Sequence, residues 1–221
     1  MANPAGTLES CANFTRGGVA AVPDHDALER QRSERIKSEQ KRLVQWAEEN
    51  RKLKGRIPKD DTGGGEHTVR LHSHRGRVVK STLPNRHRGY GIALGSYSQG
   101  ATPAEYLDRL ALQNEIFNDD IRLERVVVRN GNPIIVTSQP AIKGDLPTQD
   151  ALDEMMLQKG FEHLAAGAYY DSGRGLLVFD LFPKNARQAK DGVIYPFDPV
   201  VQRITPDFAD FLRQNPKTIN R

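Results

Sequence analysis

The sequence predicts an α+β fold in which most of the sheet is antiparallel. The first reason is the order of elements, because helical segments alternate with pairs of short strands along the chain. The second is turn chemistry, since the dipeptide Asn130–Gly131 separates two apolar runs as in a two-residue β-hairpin. The size of the chain is compatible with this fold, since 221 residues with 37% hydrophobic side chains suit one domain, or one domain with an appendage.

Charge and cysteine content limit the kinds of partner and the cellular compartment that we expect for the protein. The net charge of +4 permits an acidic or phosphate-bearing partner without requiring one. The single cysteine, Cys11, cannot form a disulfide within the chain, which favours a reducing compartment. Residues 1–23 lack a long apolar run after a basic start, and no stretch reaches roughly 18 apolar residues. We therefore expect a cytoplasmic protein with no signal peptide and no membrane partner.

The N-terminal quarter combines two kinds of sequence. Residues 1–23 are rich in small residues, glycine and proline, so we expect a flexible N-terminus there. Residues 24–54 predict one long charged helix, because Asp24 or Asp26 can cap it and its interior has no glycine or proline. Trp46 would dock its C-terminal end on the domain. A nucleic-acid-binding helix is the alternative, although the glutamates among its basic residues argue against it.

The middle of the chain predicts a hairpin and a well-capped helix. Residues 61–82 contain a glycine triplet and two strands, with a His-Arg-Gly turn between them and Lys80 near the end of the second strand. A helix follows at residues 102–117, where Thr102 is the N-cap and Glu105 completes a capping box.

Side chains on these elements suggest what faces inward and what faces solvent. Asn114 shares a helix face with leucines and a phenylalanine, so we expect it to point inward. His72 and His74 have strand spacing on one face, as two metal ligands would, and His67 lies nearby. No third soft ligand follows from the sequence, so we expect surface histidines rather than a metal site.

The C-terminal part alternates helices with strands. After a predicted strand ending near Pro140, Thr148 caps a helix with Met156 on its apolar face. Strand segments surround the stretch Leu176–Asn185, "LLVFDLFPKN", and a short helix near Asp207–Leu212 lies in the tail.

Four polar residues stand where apolar strands end or turn, namely Lys80, Asp180, Asn185 and Asp198. Taken singly, each is more typical of a surface lysine or a turn. Together they are the types that phosphoryl transfer needs: a cation for the phosphates, a carboxylate for the attacking hydroxyl, and hard oxygen ligands for Mg²⁺. Their order along the chain, with the D-x-x-x-x-N motif at Asp180–Asn185, is the order in protein kinases.

Several segments share this order with one family. They are "GGGEHTV", "RVVKST", "TPAEYLDRLALQNEIFND", "IIVTSQPAIKG", "KGFEHL" and "DLFPKNA", followed by "GVIYPFDPV". Over residues 63–204 the chain resembles the protein-kinase-like superfamily, and more narrowly the compact serine/threonine/tyrosine kinase domain of polyvalent proteins in phages and mobile elements. The resemblance implies a kinase-like domain at residues 61–204 and a tail at 205–221. It also implies a bilobal fold, with an antiparallel N-lobe sheet and a short helical C-lobe, and the use of ATP and Mg²⁺.

The resemblance also implies roles for individual residues. Lys80 would contact the α- and β-phosphates, Asp180 would be the catalytic carboxylate, and Asn185 and Asp198 would hold magnesium. We expect Glu105 to be the helix residue that pairs with Lys80. The other implied cofactor-binding positions are Gly63, Gly64 and Gly65 beside the phosphates, with Glu66 and His67 nearby, and Ser138, Gln139 and Pro140 in the hinge beside the adenine.

Departures from the family pattern leave a second interpretation open. Phe179 stands where regulated kinases carry an arginine, Asp-Pro-Val begins at Asp198 in place of Asp-Phe-Gly, and only 23 residues, 199–221, follow. We therefore weigh an active kinase acting on a protein or small-molecule hydroxyl against a pseudokinase that binds nucleotide or a partner. A structural or nucleic-acid-binding protein is the third alternative. The resemblance places the protein in the cytoplasm of a bacterium or of a host cell of a phage or mobile element.

Overall fold

The computed structural model describes residues 4–17, 32–56, 62–63, 67–72, 76–83, 89–94 and 100–219. Within these ranges the chain forms five α-helices and eleven β-strands, and the strands make three antiparallel sheets. The predicted mixture of helices with antiparallel sheet is confirmed. Among these described residues we find no helix whose length and hydropathy would let it span a lipid bilayer.

The largest sheet lies in the N-terminal half of the molecule, residues 4–140. Its strands are β1 (Thr62–Gly63), β2 (His67–His72), β3 (Arg77–Thr82), β4 (Arg122–Arg129) and β5 (Asn132–Pro140). They lie in the order β1-β2-β3-β5-β4, and each neighbouring pair is antiparallel. Asn130 and Gly131 join β4 to β5 with φ angles of 50° and 77°, the left-handed values that a type I′ turn requires. The Asn-Gly hairpin is therefore confirmed.

Three helices belong to the same half: α1 (Pro4–Arg16), α2 (Arg32–Glu49) and α3 (Pro103–Phe117). The expectation of a flexible N-terminus is wrong for residues 4–16. Leu8, Cys11 and Ala12 of α1 are fully buried in one core with residues of α2, α3, β4 and β5. Burial of this apolar face stabilises a helix that its glycine- and proline-containing sequence does not predict.

The structure describes the predicted long charged helix from Arg32 onward, and this part of it ends at Glu49. It corresponds to α2, which has 18 residues, and the proposed caps Asp24 and Asp26 lie outside the described residues. Trp46 near its C-terminal end is only 4% exposed and belongs to the same core as α1 and α3, so the docking prediction is confirmed.

The C-terminal half, residues 141–219, is built mainly from short strands. Its helices are α4 (Gln149–Gln158) and α5 (Pro206–Gln214), and its strands are β6 (Glu162–Ala165), β7 (Ala168–Asp171), β8 (Leu176–Phe179), β9 (Ala186–Gln188), β10 (Ile194–Pro196) and β11 (Val200–Arg203). Four of these strands form a sheet in the order β11-β8-β7-β6, while β9 pairs with β10. The expected helical C-lobe is therefore wrong, because tight turns at Gly167 and Gly175, both with positive φ, let neighbouring strand segments pair locally.

Helix α3 connects the two halves through opposite faces. Leu107 and Leu110 lie in the core shared with α1 and β5, whereas Leu112 and Ile116 lie in a second core with β8 and β11. The predicted capping box is confirmed, because Glu105 N donates to Thr102 Oγ1 and Thr102 N donates to Glu105 Oε2. The helix is thus fixed in position between the two larger sheets.

Candidate active site

Strand pairing brings Asp180 and Asp198 to one edge of the C-terminal sheet. In the antiparallel pair of β8 and β11, Phe179 lies opposite Val200. Asp180 directly follows Phe179, and Asp198 comes two residues before Val200. Because the end of one strand meets the start of its antiparallel partner, both carboxylates lie in the loops at this edge.

Lys80 reaches the same edge from the N-terminal sheet. Its Nζ donates to Asp198 Oδ1 at 3.1 Å and to the carbonyl oxygen of Phe197 at 2.8 Å. The Lys80 side chain is 13% exposed and that of Asp198 is 40% exposed, so the carboxylate can still reach a ligand from solvent. The structure thus brings Lys80 and Asp198 into contact, and these are two of the four residues that the sequence predicted to act together.

Asp180 and Asn185 form a local pair beside this contact. Asn185 ends the short 3₁₀ turn Pro183–Asn185, and its Nδ2 donates to the carbonyl oxygen of Asp180 at 2.8 Å. The carbonyl oxygen of Asn185 accepts from the backbone N–H of Phe197 at 2.9 Å. Since the amide nitrogen is already used, the amide oxygen of Asn185 is the atom suited to a hard cation.

The two carboxylates have pKa values displaced in opposite directions. Burial raises the pKa of Asp180, and the negative charge of Asp198 adds to this rise, while Lys184 and Arg109 partly offset it. Burial also acts to raise the pKa of Asp198, but Lys80 and then Arg109 outweigh it and hold that pKa below its ordinary value. A carboxylate kept ionised beside one that holds its proton more readily is the arrangement that separates metal-binding and proton-accepting roles.

Arg109 is a residue of this site that the sequence did not reveal. It lies on α3 and is 5% exposed, with Nε donating to the carbonyl oxygen of Pro199 at 3.1 Å and Nη2 lying 3.6 Å from Asp198 Oδ1. The family pattern predicts a glutamate, not an arginine, as the charged residue that this helix contributes. The available signal was spacing, because Tyr106, Arg109 and Gln113 follow the i, i+3, i+7 pattern of one helix face.

The expected pairing of Glu105 with Lys80 is wrong. Both carboxylate oxygens of Glu105 face the start of α3, where Thr102 N lies at 2.8 Å, Arg32 Nη2 at 3.4 Å and Arg35 Nη2 at 3.6 Å. Among the residues that the structure describes, the ion-pair partner of Lys80 is Asp198. A capping carboxylate at the first turn points back along its own helix, so Glu105 is held at the helix end.

His67 faces the site and is not a surface residue, which corrects the expectation for the hairpin histidines. It is 7% exposed, and its Nε2 lies 2.9 Å from Tyr106 Oη on α3. Burial first, then the positive charge of Lys80, lowers the pKa of His67 to about 3, so the ring is neutral at physiological pH. The side chain of His72 and all of His74 lie outside the described residues, and the described residues contain no cluster of three or more metal-binding side chains.

The glycine triplet lies at the start of the hairpin that carries His67. Gly63 ends β1 opposite Thr68 of β2, while Gly64, Gly65 and Glu66 lie outside the described residues. Of this segment the structure therefore describes Gly63 and His67, and His67 begins β2.

Ser138 and Gln139 are neighbours on opposite faces of β5. Gln139 Nε2 donates to the carbonyl oxygen of Phe197 at 3.2 Å, as Lys80 does. Ser138 Oγ accepts from Arg77 Nε at 2.9 Å on the other face. Both residues lie within the part of β5 that pairs with β3. The side chain of Gln139 joins the site, whereas that of Ser138 lies on the other face of the sheet.

Asp119 is a second polar residue that the sequence did not reveal. It lies between α3 and β4, and its Oδ2 accepts from Gln113 Nε2 at 2.6 Å. Burial raises its pKa to about 6, against the opposing hydrogen bond from Gln113 and the charges of Lys80 and Lys159.

Comparison with known proteins identifies a family that matches this chain. A family model described as the serine/threonine/tyrosine kinase found in polyvalent proteins matches residues 36–205, which is more than half of the chain. No curated protein matches the chain, and no solved structure does. The resemblance that the motifs predicted is confirmed.

Proposed function

Because the chain belongs to the family of serine/threonine/tyrosine kinases found in polyvalent proteins, we propose that it is a Mg²⁺- and ATP-dependent phosphotransferase that moves the γ-phosphate to a hydroxyl acceptor. The observation that carries the proposal is the contact between Lys80 and Asp198 across two sheets, beside the hydrogen-bonded pair of Asp180 and Asn185. A cation, two carboxylates and an amide are the groups that this chemistry requires.

The two halves would act as the two lobes of a compact kinase-like fold, with the nucleotide between them. Lys80 and Gln139 extend from the N-terminal sheet, whereas Asp180 and Asn185 extend from the edge of the C-terminal sheet, which supports this arrangement. The segment at Gly63–Gly65, with Glu66 and His67, would lie over the phosphates, and the backbone around Ser138 and Gln139 would lie beside the adenine.

Each polar side chain has a role in this proposal. Asp198 and the amide oxygen of Asn185 would bind Mg²⁺, which supplies positive charge to the phosphates when bound. Lys80 would move from Asp198 to the α- and β-phosphates. Asp180 would orient the acceptor hydroxyl and take its proton, which its raised pKa favours.

The proposed partners are ATP and a protein or small molecule that carries the acceptor hydroxyl. We place the reaction in the cytoplasm and assign it no membrane partner. Any contact with nucleic acid would involve α2, where arginines and lysines are mixed with glutamates.

The test is transfer or release of γ-phosphate from labelled ATP by the full chain, with Mg²⁺ and with a chelator. We expect Mg²⁺-dependent loss of γ-phosphate in the wild type and none above background in Asp198→Ala. Asp210→Ala is the matched control, because Asp210 is an exposed aspartate on α5 paired with Arg213. Equal rates for wild type and Asp198→Ala would contradict the proposal.

The second candidate is a pseudokinase that binds nucleotide or a protein partner without transfer. It is favoured by the pairing of Lys80 with Asp198 and not with a glutamate of α3, since active kinases form a lysine–glutamate pair. Thermal stabilisation by ATP without any γ-phosphate loss would support this candidate over the first.

A further inference from the structure

We propose that Arg109 is a positioning residue that holds Asp198 in place for Mg²⁺ while Lys80 turns to the nucleotide. The inference rests on the proposed function. In protein kinases a helix contributes a glutamate that pairs with the strand lysine, whereas α3 of this chain contributes an arginine that contacts Asp198. The inference concerns the fixation of Asp198, and Arg109 itself is not assigned a contact with the reacting atoms.

Three side chains of the N-terminal half contact three consecutive residues of the C-terminal half, Phe197, Asp198 and Pro199. Lys80 of β3 and Gln139 of β5 both donate to the carbonyl oxygen of Phe197. Arg109 of α3 lies against Asp198 Oδ1 and donates to the carbonyl oxygen of Pro199. The segment that carries the metal-binding carboxylate is therefore held on both sides of Asp198.

Only one of these cations can leave Asp198 without releasing the segment. When Lys80 binds phosphate, its ammonium must give up at least part of its contact with Asp198. The ammonium is a compact charge, so it cannot contact Asp198 and the phosphates equally well at the same time. Arg109 has separate N–H groups for the carboxylate and the backbone carbonyl, so its planar guanidinium can keep both partners.

Helix α3 is a rigid base for this arginine. Its neighbour Asp108 pairs with Arg16 of α1, and Tyr106 Oη lies 2.9 Å from Nε2 of His67 on β2. Asn114 points inward as predicted and binds both the N–H and the carbonyl oxygen of Ile121. Because α3 is held by α1, by β2 and by the loop residue Ile121, it fixes the position of the Arg109 guanidinium beside Asp198.

The test compares Arg109→Met with Arg109→Lys and with the matched control Arg122→Met. Arg122 lies on β4, and its side chain is 52% exposed. Turnover of labelled ATP by the full chain is measured first against Mg²⁺ at saturating ATP, then against ATP at saturating Mg²⁺. We expect Arg109→Met to raise the half-saturating Mg²⁺ by about 10- to 100-fold, the usual cost of losing a residue that orients a metal ligand.

The same variants should separate positioning from general stability. The ATP concentration at half-saturation in excess Mg²⁺ should change much less than the Mg²⁺ requirement, and Arg109→Lys should recover part of the loss. If Arg109→Met does not fold, the Mg²⁺ requirement of Arg109→Lys decides, and it should also be raised. An unchanged Mg²⁺ requirement in the folded Arg109 variants would overturn the inference.

Failure of the proposed function remains distinguishable from failure of this inference. If the wild type shows no turnover, the readout becomes thermal stabilisation by a non-hydrolysable ATP analogue with and without Mg²⁺. We expect folded Arg109 variants to lose the Mg²⁺-dependent part of that stabilisation and to keep the Mg²⁺-independent part. Equal Mg²⁺-dependent stabilisation of variants and wild type, or none in the wild type, would overturn the inference by this second route.

Discussion

The two halves of the molecule contribute opposite charges to one site by different structural means. The N-terminal half supplies Lys80 from the interior of β3, which contributes Val79 to a small core, and Arg109 from α3, which packs into the large core. The C-terminal half supplies Asp180, Asn185 and Asp198 from loops at the edge of a sheet of four-residue strands. The cations of the N-terminal half fix the position of Asp198, while the loops leave both carboxylates partly exposed, so opposite charges join the two halves at this site.

The largest expected effect comes from removing a carboxylate that the C-terminal half contributes to the site. Asp180→Ala should lower the rate of phosphate transfer by about 10²- to 10⁴-fold, because a positioned proton acceptor contributes that much. The measurement is single-turnover transfer from labelled ATP, with the exposed Asp210→Ala as control. A rate within about threefold of wild type would break the assignment of Asp180, since general-base removal costs far more.

The anchoring of the N-terminal half is tested next. Leu8→Ala should destabilise the protein by about 2–5 kcal/mol, because Leu8 is fully buried where α1 contacts the first core. Leu157→Ala on α4 is the matched control, since Leu157 is 58% exposed and should change the free energy of unfolding by less than about 0.5 kcal/mol. Urea unfolding followed by circular dichroism measures both values. Equal and small effects would mean that α1 does not support the core.

A pH effect should arise from the N-terminal half near Lys80. The folded-state pKa of Asp119 is raised to about 6, so its contribution to stability is present below pH about 4 and is lost as pH rises through 6. Asp119→Asn should therefore be more stable than wild type at pH 8 by about 1–3 kcal/mol and nearly equal to it at pH 4.

The neighbouring carboxylate is the control for this pH prediction. Hydrogen bonds, first from Arg122 and then from Arg77, lower the pKa of Asp120. Asp120→Asn should consequently lose stability at pH 8, opposite in sign to Asp119→Asn. Melting temperatures across pH 4–8 check both, and the same sign for the two variants would contradict the account.

The smallest expected effect compares helix caps in the two halves. Thr102→Ala removes the side-chain hydrogen bond that Glu105 N donates to Thr102 Oγ1 at a buried cap on α3, and should cost about 1–2 kcal/mol. Thr148→Ala removes one hydrogen bond to Ala151 N at an exposed cap on α4 and should cost about 0.5–1 kcal/mol. Free energies of unfolding measure the difference. A larger cost at Thr148 would reverse the comparison between the halves.

Local patterns predicted what local interactions determine. The Asn130–Gly131 hairpin and the Thr102–Glu105 capping box follow from residues within four positions of one another. The positions of Lys80 and Asp198 followed from strand ends together with the family motifs, and the structure brings them within 3.1 Å.

Tertiary contacts determined what the sequence did not reveal. Helix α1 depends on burial of Leu8 and Cys11 against residues more than 30 positions away. In the sequence, Arg109 looks like an ordinary helix arginine. Its partner Asp198 lies 89 positions later in the chain, so only the folded structure shows their contact. The strands β7, β8 and β11 lie in segments that the sequence predicted as strands. However, β8 pairs with β11 only after 20 intervening residues, 180–199, and this pairing turned an expected helical region into a sheet.

The most direct test of the account is whether both halves bind the same nucleotide. Calorimetric titration with a non-hydrolysable ATP analogue, with and without Mg²⁺, compares wild type with Lys80→Met and Asp198→Ala. We expect Lys80→Met to weaken binding in both conditions and Asp198→Ala to abolish the increase in affinity that Mg²⁺ produces. Wild-type affinity and wild-type Mg²⁺ dependence in both variants would contradict a nucleotide site between the two halves.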